Sequence, residues 1–312
     1  MYLVTGGTGF VGSYVLRQLL DAGDRVVAFD SSPDTGLLQF LVGKERSEAV
    51  TVVQGDITDL AHLIRTCQRH GIQRVIHMAA VIGAENPALT VRVNCDGTMN
   101  VLEAARILGI QRVVLTSSLA VFGSHAKYPQ EYIPNDAPHY PASIYGACKS
   151  LDEVCTRHYF EKYGVDGIAI RLLGIYGFGR KGTRALPRFE ELFVKPALGK
   201  PGRVPEGDTI QNWQYVEDAA RALVMASRAA TTKTRAFTTE GDVRSTAEVA
   251  EYVRRLIPGA DITLLPGTAD MPYKFDTSPL RAEIGIRAEW TIERGVNKFI
   301  ENIREFREGR SG

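Results

Sequence analysis

Three residues in two stretches of the chain could together move a proton at a hydroxyl group. Tyr145 and Lys149 belong to the stretch Tyr-Gly-Ala-Cys-Lys, and Ser118 lies in a Ser-Ser pair that follows an apolar run. Residues four apart lie on one face of a helix, so the phenol and the ammonium point together. The ammonium stabilises the phenolate, and a serine hydroxyl from a facing loop completes the path for the proton. This spacing is also common on exposed helices, so the prediction depends on the elements around it.

The first of these elements is a glycine-rich turn at the start of the chain. A short apolar run at residues 2–4 predicts a buried strand, and an apolar-periodic helix follows through residues 15–20. The turn between them contains Gly6, Gly9, Phe10, Val11 and Gly12. We expect Gly6 to permit the tight turn, Gly9 to let the backbone approach a pyrophosphate, and Gly12 to let the helix pack on the strand. Free N–H groups at the helix start favour a phosphate there.

A carboxylate downstream indicates which dinucleotide would bind. A second apolar strand over residues 25–29 ends at Asp30, about twenty residues after the turn, where the acid that binds a ribose diol is expected. Such a carboxylate repels a 2′-phosphate, and Ser31 and Ser32 offer no arginine to pair with one. NAD is therefore favoured over NADP. With a nicotinamide in reach, a phenolate at Tyr145 could take the proton of an alcohol while hydride leaves the same carbon.

Length, charge and cysteine content bound the class of protein. The chain has 312 residues, enough for one large α/β domain with a smaller appendage, and its net charge is +1. That balance favours neither a nucleic-acid nor a membrane partner. The four cysteines show no metal spacing, and we expect no metal site. The N-terminus has no signal-peptide pattern and no apolar run approaches membrane length, so we expect a soluble cytoplasmic protein.

The pattern after Asp30 alternates between strands and helices. Apolar runs near residues 50–54, 74–78 and 112–116, with helical stretches between them, predict a Rossmann-type doubly wound parallel sheet. Ligands of such sheets bind at the carboxyl ends of the strands. We assign residues 1–171 to an NAD-binding domain and 172–312 mainly to a smaller substrate-binding region, where Gly and Pro become frequent. Elements near 208–240 are expected to return to the first domain.

Loops at these strand ends contain further candidate cofactor residues. Asp56 could accept a hydrogen bond from an adenine amino group while Ile57 covers the ring. The alternative for this stretch is structural, with Asp59 or Thr58 serving as the N-cap of the following helix. Small residues at Ala79 and Ala80 let the chain pass close to the nicotinamide half.

Two polar residues near these loops have structural alternatives. His77, just before Ala79 and Ala80, is better explained as a hydrogen-bonded core histidine than as a proton donor. Asn94 lies within a predicted helix over residues 87–108, where asparagine is mildly unfavourable. It either faces the cleft near the active site and the cofactor, bridging water or main chain there, or is simply exposed.

Together these residues resemble the extended short-chain dehydrogenase/reductases, specifically the NAD-dependent epimerase/dehydratase family that includes nucleotide-sugar 4-epimerases. The similarity covers almost the whole chain, from residues 5–12 through Arg171-Leu-Leu-Gly-Ile-Tyr-Gly and Tyr215-Val-Glu-Asp to the tail at residues 277–295. The resemblance implies that Tyr145 acts as base or acid and Ser118 as hydroxyl relay. Lys149 is implied to tune Tyr145 and to contact the nicotinamide ribose. The family resemblance also implies a homodimer formed through the long helices around residues 90–108 and 143–163.

Departures from the family pattern reduce the number of reactions that the chain is expected to catalyse. Dehydratases place an Asp-Glu pair after the catalytic hydroxyl, whereas this chain has Leu119 and Ala120, which argues against a 4,6-dehydratase. Nucleotide-sugar enzymes usually hold the substrate diphosphate with two arginines, because guanidinium pairs bidentately with phosphate. Here those positions are Gln211 and Leu265. Both expected diphosphate ligands are missing.

A basic cluster after Gly177 could replace them. Its members are Arg180, Lys181, Arg184 and Arg188. The cluster either forms a solvated face or holds one carboxylate or phosphate of the substrate. We add Ser118, Gly174 and Trp213 as candidate substrate residues, although Trp213 could equally be a core residue.

Three functions remain open. The first is an NAD-dependent oxidoreductase that removes hydride from a secondary alcohol of a sugar or sugar acid without a nucleotide, which the missing arginines favour. The second is a nucleotide-sugar 4-epimerase with a transient 4-keto intermediate, which the family resemblance favours. The third is a non-catalytic NAD-sensing regulator, which would be expected to lose Tyr145 or Lys149, yet both are present.

Overall fold

Twelve strands form in the described part of the chain, which a computed structural model covers at residues 1–83, 86–180 and 187–308. They are β1 (Tyr2–Thr5), β2 (Val26–Asp30), β3 (Thr51–Gln54), β4 (Arg74–His77), β5 (Arg112–Ser118), β6 (Gly167–Leu172), β7 (Gly174–Tyr176), β8 (Gly202–Val204), β9 (Ile210–Tyr215), β10 (Ala236–Thr238), β11 (Asp242–Ser245) and β12 (Ile262–Leu264).

The helices alternate with these strands. They are α1 (Phe10–Asp21), α2 (Gly36–Val42), α3 (Lys44–Ser47), α4 (Leu60–His70), α5 (Pro87–Val91), α6 (Gly97–Leu108), α7 (Ile144–Tyr163), α8 (Lys195–Ala197), α9 (Val216–Arg228), α10 (Thr246–Leu256), α11 (Ser278–Glu283) and α12 (Ile292–Glu308). Asp59 is the N-cap of α4, because its carboxylate accepts from the His62 N–H at 2.8 Å.

The central sheet has seven parallel strands among the described residues, in the order β10-β6-β5-β4-β1-β2-β3. Strand order therefore reverses between β1 and β4, and ligands of open α/β sheets bind in the crevice at such a point. The predicted Rossmann-type doubly wound sheet is confirmed. Strand β10 joins β6 at the sheet edge, so part of the stretch near 208–240 does return to this sheet.

Two apolar layers cover the faces of this sheet. On one face Leu3, Val27 and Val113 pack with Leu63 of α4 and Leu102 of α6. On the other face the cluster includes side chains from α1, α9 and α12, and it continues into the later part of the chain. Strands buried on both faces explain the nearly continuous apolar runs in the sequence.

Smaller sheets carry the chain after β6. Strand β9 pairs in parallel with β7 and antiparallel with β11, and β8 pairs with β12. The division into an NAD-binding domain at 1–171 and a mainly substrate-binding region at 172–312 is kept as a proposal. No helix within the described ranges is long and apolar enough to cross a bilayer.

One predicted helix is interrupted. The stretch expected as a single helix over residues 87–108 consists of α5, a π-helical segment at Arg92–Asp96, and α6. The π-helical segment contains Asn94, which is fully buried. Single-turn π-helical insertions often lie at functional sites, where they redirect a side chain.

Candidate active site

The Ser118 loop and the Tyr145 helix meet because two glycines permit close backbone contact. Strand β5 ends at Ser118, and the Ser143 hydroxyl caps α7 by accepting from the Gly146 N–H at 3.1 Å. A Cβ on Gly146 would lie 2.4 Å from the Ala120 carbonyl oxygen, and one on Gly123 would lie 2.0 Å from the Tyr140 carbonyl oxygen. Only glycine fits at either position, so the loop and the first turn of α7 are held together.

Tyr145 and Lys149 share a face of α7, as their spacing predicts. Tyr145 is half-buried, whereas Lys149 is 1% exposed, and its ammonium lies 5.9 Å from the centre of the Tyr145 ring. The ammonium also lies 3.2 Å from Asp152 Oδ2. Burial lowers the pKa of Lys149, but the charges of Asp152 and Tyr145 outweigh it, so the pKa is raised. Lys149 therefore stays cationic beside the phenol.

The sequence analysis did not identify Asp152, although its spacing from Lys149 and Tyr145 could have indicated it. It stands three residues after Lys149 and seven after Tyr145, so helical periodicity places all three on one face. A buried ammonium requires a counter-ion, because an unpaired charge in the core is costly. An acidic residue at this spacing is thus the expected companion of a buried lysine.

A buried ion pair ties the same helix to the sheet. Glu153 accepts from Arg171 Nε at 2.8 Å and Nη2 at 2.6 Å, and from the Ser117 hydroxyl at 2.5 Å. Burial raises the pKa of Glu153, but Arg171 and Ser117 outweigh it, so the pKa is lowered. The pair joins α7, β5 and β6 directly behind Ser118. The sequence analysis included Arg171 in a motif without a partner.

The glycine-rich turn fits a dinucleotide. Gly6 has φ +65°, and a Cβ on it would lie 2.9 Å from the Ala79 nitrogen, while one on Gly12 would lie 2.3 Å from the Gly6 carbonyl oxygen. These two glycines are therefore required by the protein itself. On Gly9, in contrast, a Cβ would meet only the Gly6 oxygen, at 3.2 Å, among the described atoms. An exposed glycine that packing barely requires suits close approach of a ligand.

The start of α1 is prepared for an anion. Gly9 is its N-cap, and within the described residues no side chain caps the first turn and no acidic residue stands in it. Phe10 and Val11 begin the helix at this end, with their side chains half-buried. The unsatisfied N–H groups and the positive end of the helix dipole therefore remain available for a diphosphate.

Asp30 lies at the end of β2, beside the glycine-rich turn. Its carboxylate accepts from the Thr8 hydroxyl at 2.9 Å and the Thr8 N–H at 3.2 Å through Oδ2, and from the Ser32 N–H at 3.2 Å through Oδ1. These bonds aim the carboxylate over the turn. The position fits the predicted contact with a ribose diol, which stays a prediction.

The predicted adenine residues are placed differently from one another. Asp56 is exposed, and hydrogen bonds from the N–H and hydroxyl of Thr58 lower the pKa of its carboxyl. Ile57 is 5% exposed and packs against Gly97, where a Cβ would lie 2.7 Å from its Cγ2. Ile57 is thus largely a core residue, and a contact with the adenine ring stays a prediction.

Asn94 positions the loop that follows β4. Its Oδ1 accepts from the Val81 N–H at 2.8 Å, and its Nδ2 donates to the Val81 carbonyl at 2.9 Å. The alternative of an exposed position is wrong, because the side chain is fully buried. With both amide groups engaged, Asn94 holds the segment after Ala79 and Ala80, and a direct catalytic or cofactor contact stays a prediction.

His77 is a hydrogen-bonded core residue, in agreement with the sequence prediction. Its Nδ1 lies 2.6 Å from the Thr5 hydroxyl and its Nε2 lies 3.2 Å from the Thr98 hydroxyl. Burial, aided by the charge of Lys149, lowers the pKa of the ring to about 3. A neutral imidazole with both nitrogens paired serves the structure rather than proton transfer.

Arg180 is a partly buried cation that packs against two aromatic rings and interacts electrostatically with Tyr145. Its guanidinium is 4.4 Å from the centre of the Phe189 ring and 5.9 Å from that of Phe10, and Nη1 donates to the Ile175 carbonyl at 2.8 Å. Burial lowers the pKa of Arg180 to about 10, and the nearby Tyr145 opposes that shift. In the described part of the chain no carboxylate pairs with this cation.

The other predicted substrate residues separate into three groups. Arg188 is buried rather than on a solvated face, and Gly174 is half-buried in β7 beside Gln211. The prediction of Trp213 as a substrate residue is wrong. It is 1% exposed, packs among aromatic rings and donates from its indole nitrogen to the Arg244 carbonyl at 3.1 Å. Arg184 and Lys181 lie outside the described residues.

Comparisons with known proteins cover nearly the whole chain. Residues 2–256 match the NAD dependent epimerase/dehydratase family. UDP-glucuronate 4-epimerase 1 of Arabidopsis thaliana is 28% identical, over 96% of this chain and 75% of that protein. UDP-glucose 4-epimerase of Mycolicibacterium smegmatis is 29% identical, over 97% of this chain and 98% of that protein. The GalE-like L-threonine dehydrogenase from Cupriavidus necator, solved in its holo form, superposes with a TM-score of 0.86 at 26% identity, covering 97% and 99% of the two chains.

Proposed function

The chain belongs to the NAD dependent epimerase/dehydratase family, and from that premise we propose that it is a nucleotide-sugar 4-epimerase. The sequence analysis instead favoured an oxidoreductase whose substrate lacks a nucleotide and kept the 4-epimerase as the alternative. Relatives named as UDP-sugar 4-epimerases align over almost the full chain, and this supports the reversal. The chain is an enzyme of NAD-dependent type, and the finer activity is our proposal.

One observation carries the proposal: among the described residues, Tyr145 is the one group of the site suited to exchanging a proton with a substrate hydroxyl, and the residues after Ser118 are apolar. Tyr145 stands beside the cationic Lys149, and the positions after Ser118 are Leu119 and Ala120. Elimination of water would need a further acid and base there. Reversible oxidation at one carbon needs only one proton acceptor that later returns the proton.

The residues of the chain divide the work as follows. NAD is the cofactor, and when bound it supplies a hydride acceptor that can give the hydride back. The glycine-rich turn at Gly6, Gly9 and Gly12, together with Asp30, would hold it. Tyr145 takes the proton of the substrate hydroxyl at its phenol oxygen, and Ser118 orients that hydroxyl. Lys149 stabilises the phenolate, and Asp152 holds Lys149 in place.

Product analysis of the purified protein tests the proposal. Incubation with UDP-glucose or UDP-glucuronate should yield the C4 epimer by nuclear magnetic resonance, without lasting absorbance at the NADH band. Tyr145→Phe should lower kcat by roughly 10²- to 10⁴-fold while NAD still binds, because the fold keeps the ring and loses only the proton acceptor. Unchanged turnover in Tyr145→Phe would reject the catalytic assignment.

A second candidate is a net NAD-dependent dehydrogenase for a small hydroxy acid or polyol. Gln211 and Leu265 at the expected arginine positions favour it, as does the overall similarity to an L-threonine dehydrogenase. The same assay separates the two candidates. An epimerase tends to retain NAD through purification, whereas a dehydrogenase must release NADH at each turnover and would reduce added NAD.

We also propose that the protein forms a homodimer through α5, α6 and α7. These adjacent helices expose large apolar side chains, which monomers rarely gather on one surface. They are Leu89, Val91, Met99, Ile107, Ile144, Leu151 and Val154. On α7 the exposed positions recur at Ile144, Leu151 and Val154, a spacing typical of a helix-packing stripe.

A further inference from the structure

His139 lies against the buried ion pair that Glu153 forms with Arg171. Its ring nitrogen Nε2 is 3.3 Å from Arg171 Nη2 and 3.5 Å from Glu153 Oε2. The ring also meets the edge of the Phe122 ring, with the ring centres 5.7 Å apart. The side chains of Arg171 and Glu153 are 4% and 6% exposed, whereas that of His139 is 22% exposed. Of these three polar side chains, His139 is therefore the one that a proton from solvent reaches most readily.

The bond between Arg171 and His139 exists only while the imidazole is neutral. A guanidinium can donate but not accept, so Arg171 Nη2 needs a lone pair on His139 Nε2, and the neutral ring then carries its proton on Nδ1. In the imidazolium both nitrogens donate, which sets one cation against another. The nearest carboxylate oxygen, Glu153 Oε2, already accepts from Arg171 at 2.6 Å. Protonation of His139 therefore breaks its bond to Arg171.

The groups packed around His139 keep the ring neutral at neutral pH. Burial is the largest effect and lowers the pKa of the ring. The carboxylate of Glu153 on α7 raises this pKa, whereas Arg171 on β6 and Arg157 on α7 lower it. Phe122, from the loop after β5, carries no charge. The pKa of His139 therefore lies below its ordinary value of about 6.5.

Arg171 holds the segment 134–141, which precedes α7, at two points. Its Nη1 donates to the Asn135 carbonyl at 2.6 Å, and its Nη2 donates to His139 at 3.3 Å. Asn135 is also tied to strand β10, because its Oδ1 accepts from the Thr238 N–H at 3.0 Å. The attachment at Asn135 does not depend on pH. The attachment at His139 does, because its acceptor is a titratable ring nitrogen.

The attachment at His139 adjoins the contact that brings the catalytic groups together. The N–H of Tyr140, the next residue, donates at 3.0 Å to the carbonyl of Val121, three residues after Ser118. The Tyr140 carbonyl is the atom against which Gly123 packs. Helix α7 begins four residues after Tyr140 and carries Tyr145 in its first turn. A segment released at His139 would therefore loosen the contact between the Ser118 loop and α7.

We propose that His139 is a positioning residue, whose neutral ring binds Arg171 and thereby fixes the separation of Ser118 and Tyr145. Protonation of His139 releases the segment and lowers turnover, so the site contains an acid-sensitive switch. His139 acts through Arg171 and the backbone of Tyr140, not on the substrate. The inference rests on the proposed function only for its kinetic readout, since the bond itself is a property of the fold.

Thermal unfolding tests the bond without relying on turnover. Because folding lowers the pKa of His139, its stabilising effect is complete above about pH 6.5 and is lost as pH falls through the folded-state value. In His139→Gln the amide oxygen accepts from Arg171 but does not titrate. Between about pH 8 and about pH 5 the melting temperature should therefore fall more in the parent than in His139→Gln.

The kinetic test compares kcat of the variants with that of the parent across the same range. His139→Gln should stay within about twofold of the parent near pH 8, and the ratio of its kcat to that of the parent should rise at least about threefold near pH 5. The ratio cancels the titration of Tyr145, which both proteins share. His139→Leu lacks an acceptor and should lose kcat at least about threefold already near pH 8. His70→Gln, in the last turn of α4, is the matched control and should follow the parent throughout.

The outcomes separate this inference from the proposed function. A kcat ratio that stays constant with pH, or an equal fall of melting temperature in the parent and His139→Gln, overturns the switch. A loss of kcat by one pH-independent factor in both His139 variants shows a purely structural role and overturns it equally. Absence of epimerisation in the parent, with the His139-dependent difference in melting temperature intact, would reject the epimerase proposal alone.

Discussion

Lys149 is buried yet keeps its positive charge, and the carboxylate of Asp152 is its ion-pair partner. Burial favours the neutral amine, whereas Asp152 at 3.2 Å and the charge of Tyr145 together favour the ammonium and outweigh burial, so the pKa of Lys149 is raised. A catalytic phenolate needs that ammonium, because the positive charge is what stabilises the anion. In the proposed mechanism Asp152 is therefore a positioning residue that acts through Lys149 rather than on the substrate.

Substitution of Asp152 should change the pH dependence of turnover. In Asp152→Asn the pKa of Lys149 is expected to fall, because the Asp152 carboxylate no longer offsets the effect of burial. Since activity needs the protonated lysine, the basic limb of the kcat profile should move to lower pH, and most activity should be lost at alkaline pH. Initial rates across the pH range measure this.

Glu161→Gln on the exposed side of α7 is the control and should leave the profile unchanged. A variant Asp152→Asn with lower stability but an unshifted basic limb would contradict the assigned role. A uniform fall in kcat at every pH would contradict it equally.

At the scale of elements, the decisive contact is between the first turn of α7 and the loop after β5. Three features hold this contact: Gly146 against the Ala120 carbonyl, Gly123 against the Tyr140 carbonyl, and the Glu153–Arg171 ion pair behind them. Together they fix the separation of Ser118 and Tyr145. Catalysis depends on such distances, since a misplacement of about 1 Å can cost roughly 10²-fold in rate.

Gly146→Ala tests this contact. The added Cβ would lie 2.4 Å from the Ala120 oxygen, so α7 must shift away from the Ser118 loop. We expect a loss of about 1–3 kcal/mol in the free energy of unfolding and a fall in kcat of about 10²-fold. Chemical denaturation and steady-state kinetics measure the two effects.

Gly164→Ala at the end of the same helix is a control matched in stability. Gly164 has φ +71°, and its Cβ would meet nothing within 4 Å among the described atoms, so alanine there costs about 1–2 kcal/mol of backbone strain only. Its kcat should stay near that of the parent. Equal kcat in both variants would show that the α7 contact does not set the catalytic geometry.

At the scale of the whole molecule, the two faces of α7 lie in different surroundings. Its inner face carries the buried residues Lys149, Asp152 and Glu153, and its outer face exposes Ile144, Leu151 and Val154. The outer residues form part of the surface through which we propose that the chain dimerises. Dimerisation would therefore support the helix that carries the catalytic groups.

The dimer is tested by placing charges on this outer face. Leu151→Glu combined with Val154→Glu should raise the dimer dissociation constant at least about tenfold, because buried carboxylates without partners oppose association. Size-exclusion chromatography with light scattering measures the change. Lys162→Glu, also exposed on α7, should leave the dimer intact. A monomeric parent protein would refute the proposal.

The sequence by itself determined the Rossmann-type sheet, the glycine-rich turn and the helical face shared by Tyr145 and Lys149. Each of these depends on local spacing: apolar runs of strand length, glycines where backbone approaches backbone, and residues four apart on a helix. The family and its cofactor followed from the same local patterns.

Only the tertiary structure decided which polar residues are free to act. Trp213 and Arg188 are both candidates in the sequence, yet Trp213 packs in an aromatic core and Arg188 is buried and paired with Glu206 and Gln211. Asn94 is satisfied by Val81, and Glu153 by Arg171 from a distant strand. These outcomes depend on partners far apart in the chain, and long-range packing is not encoded in any short stretch of residues.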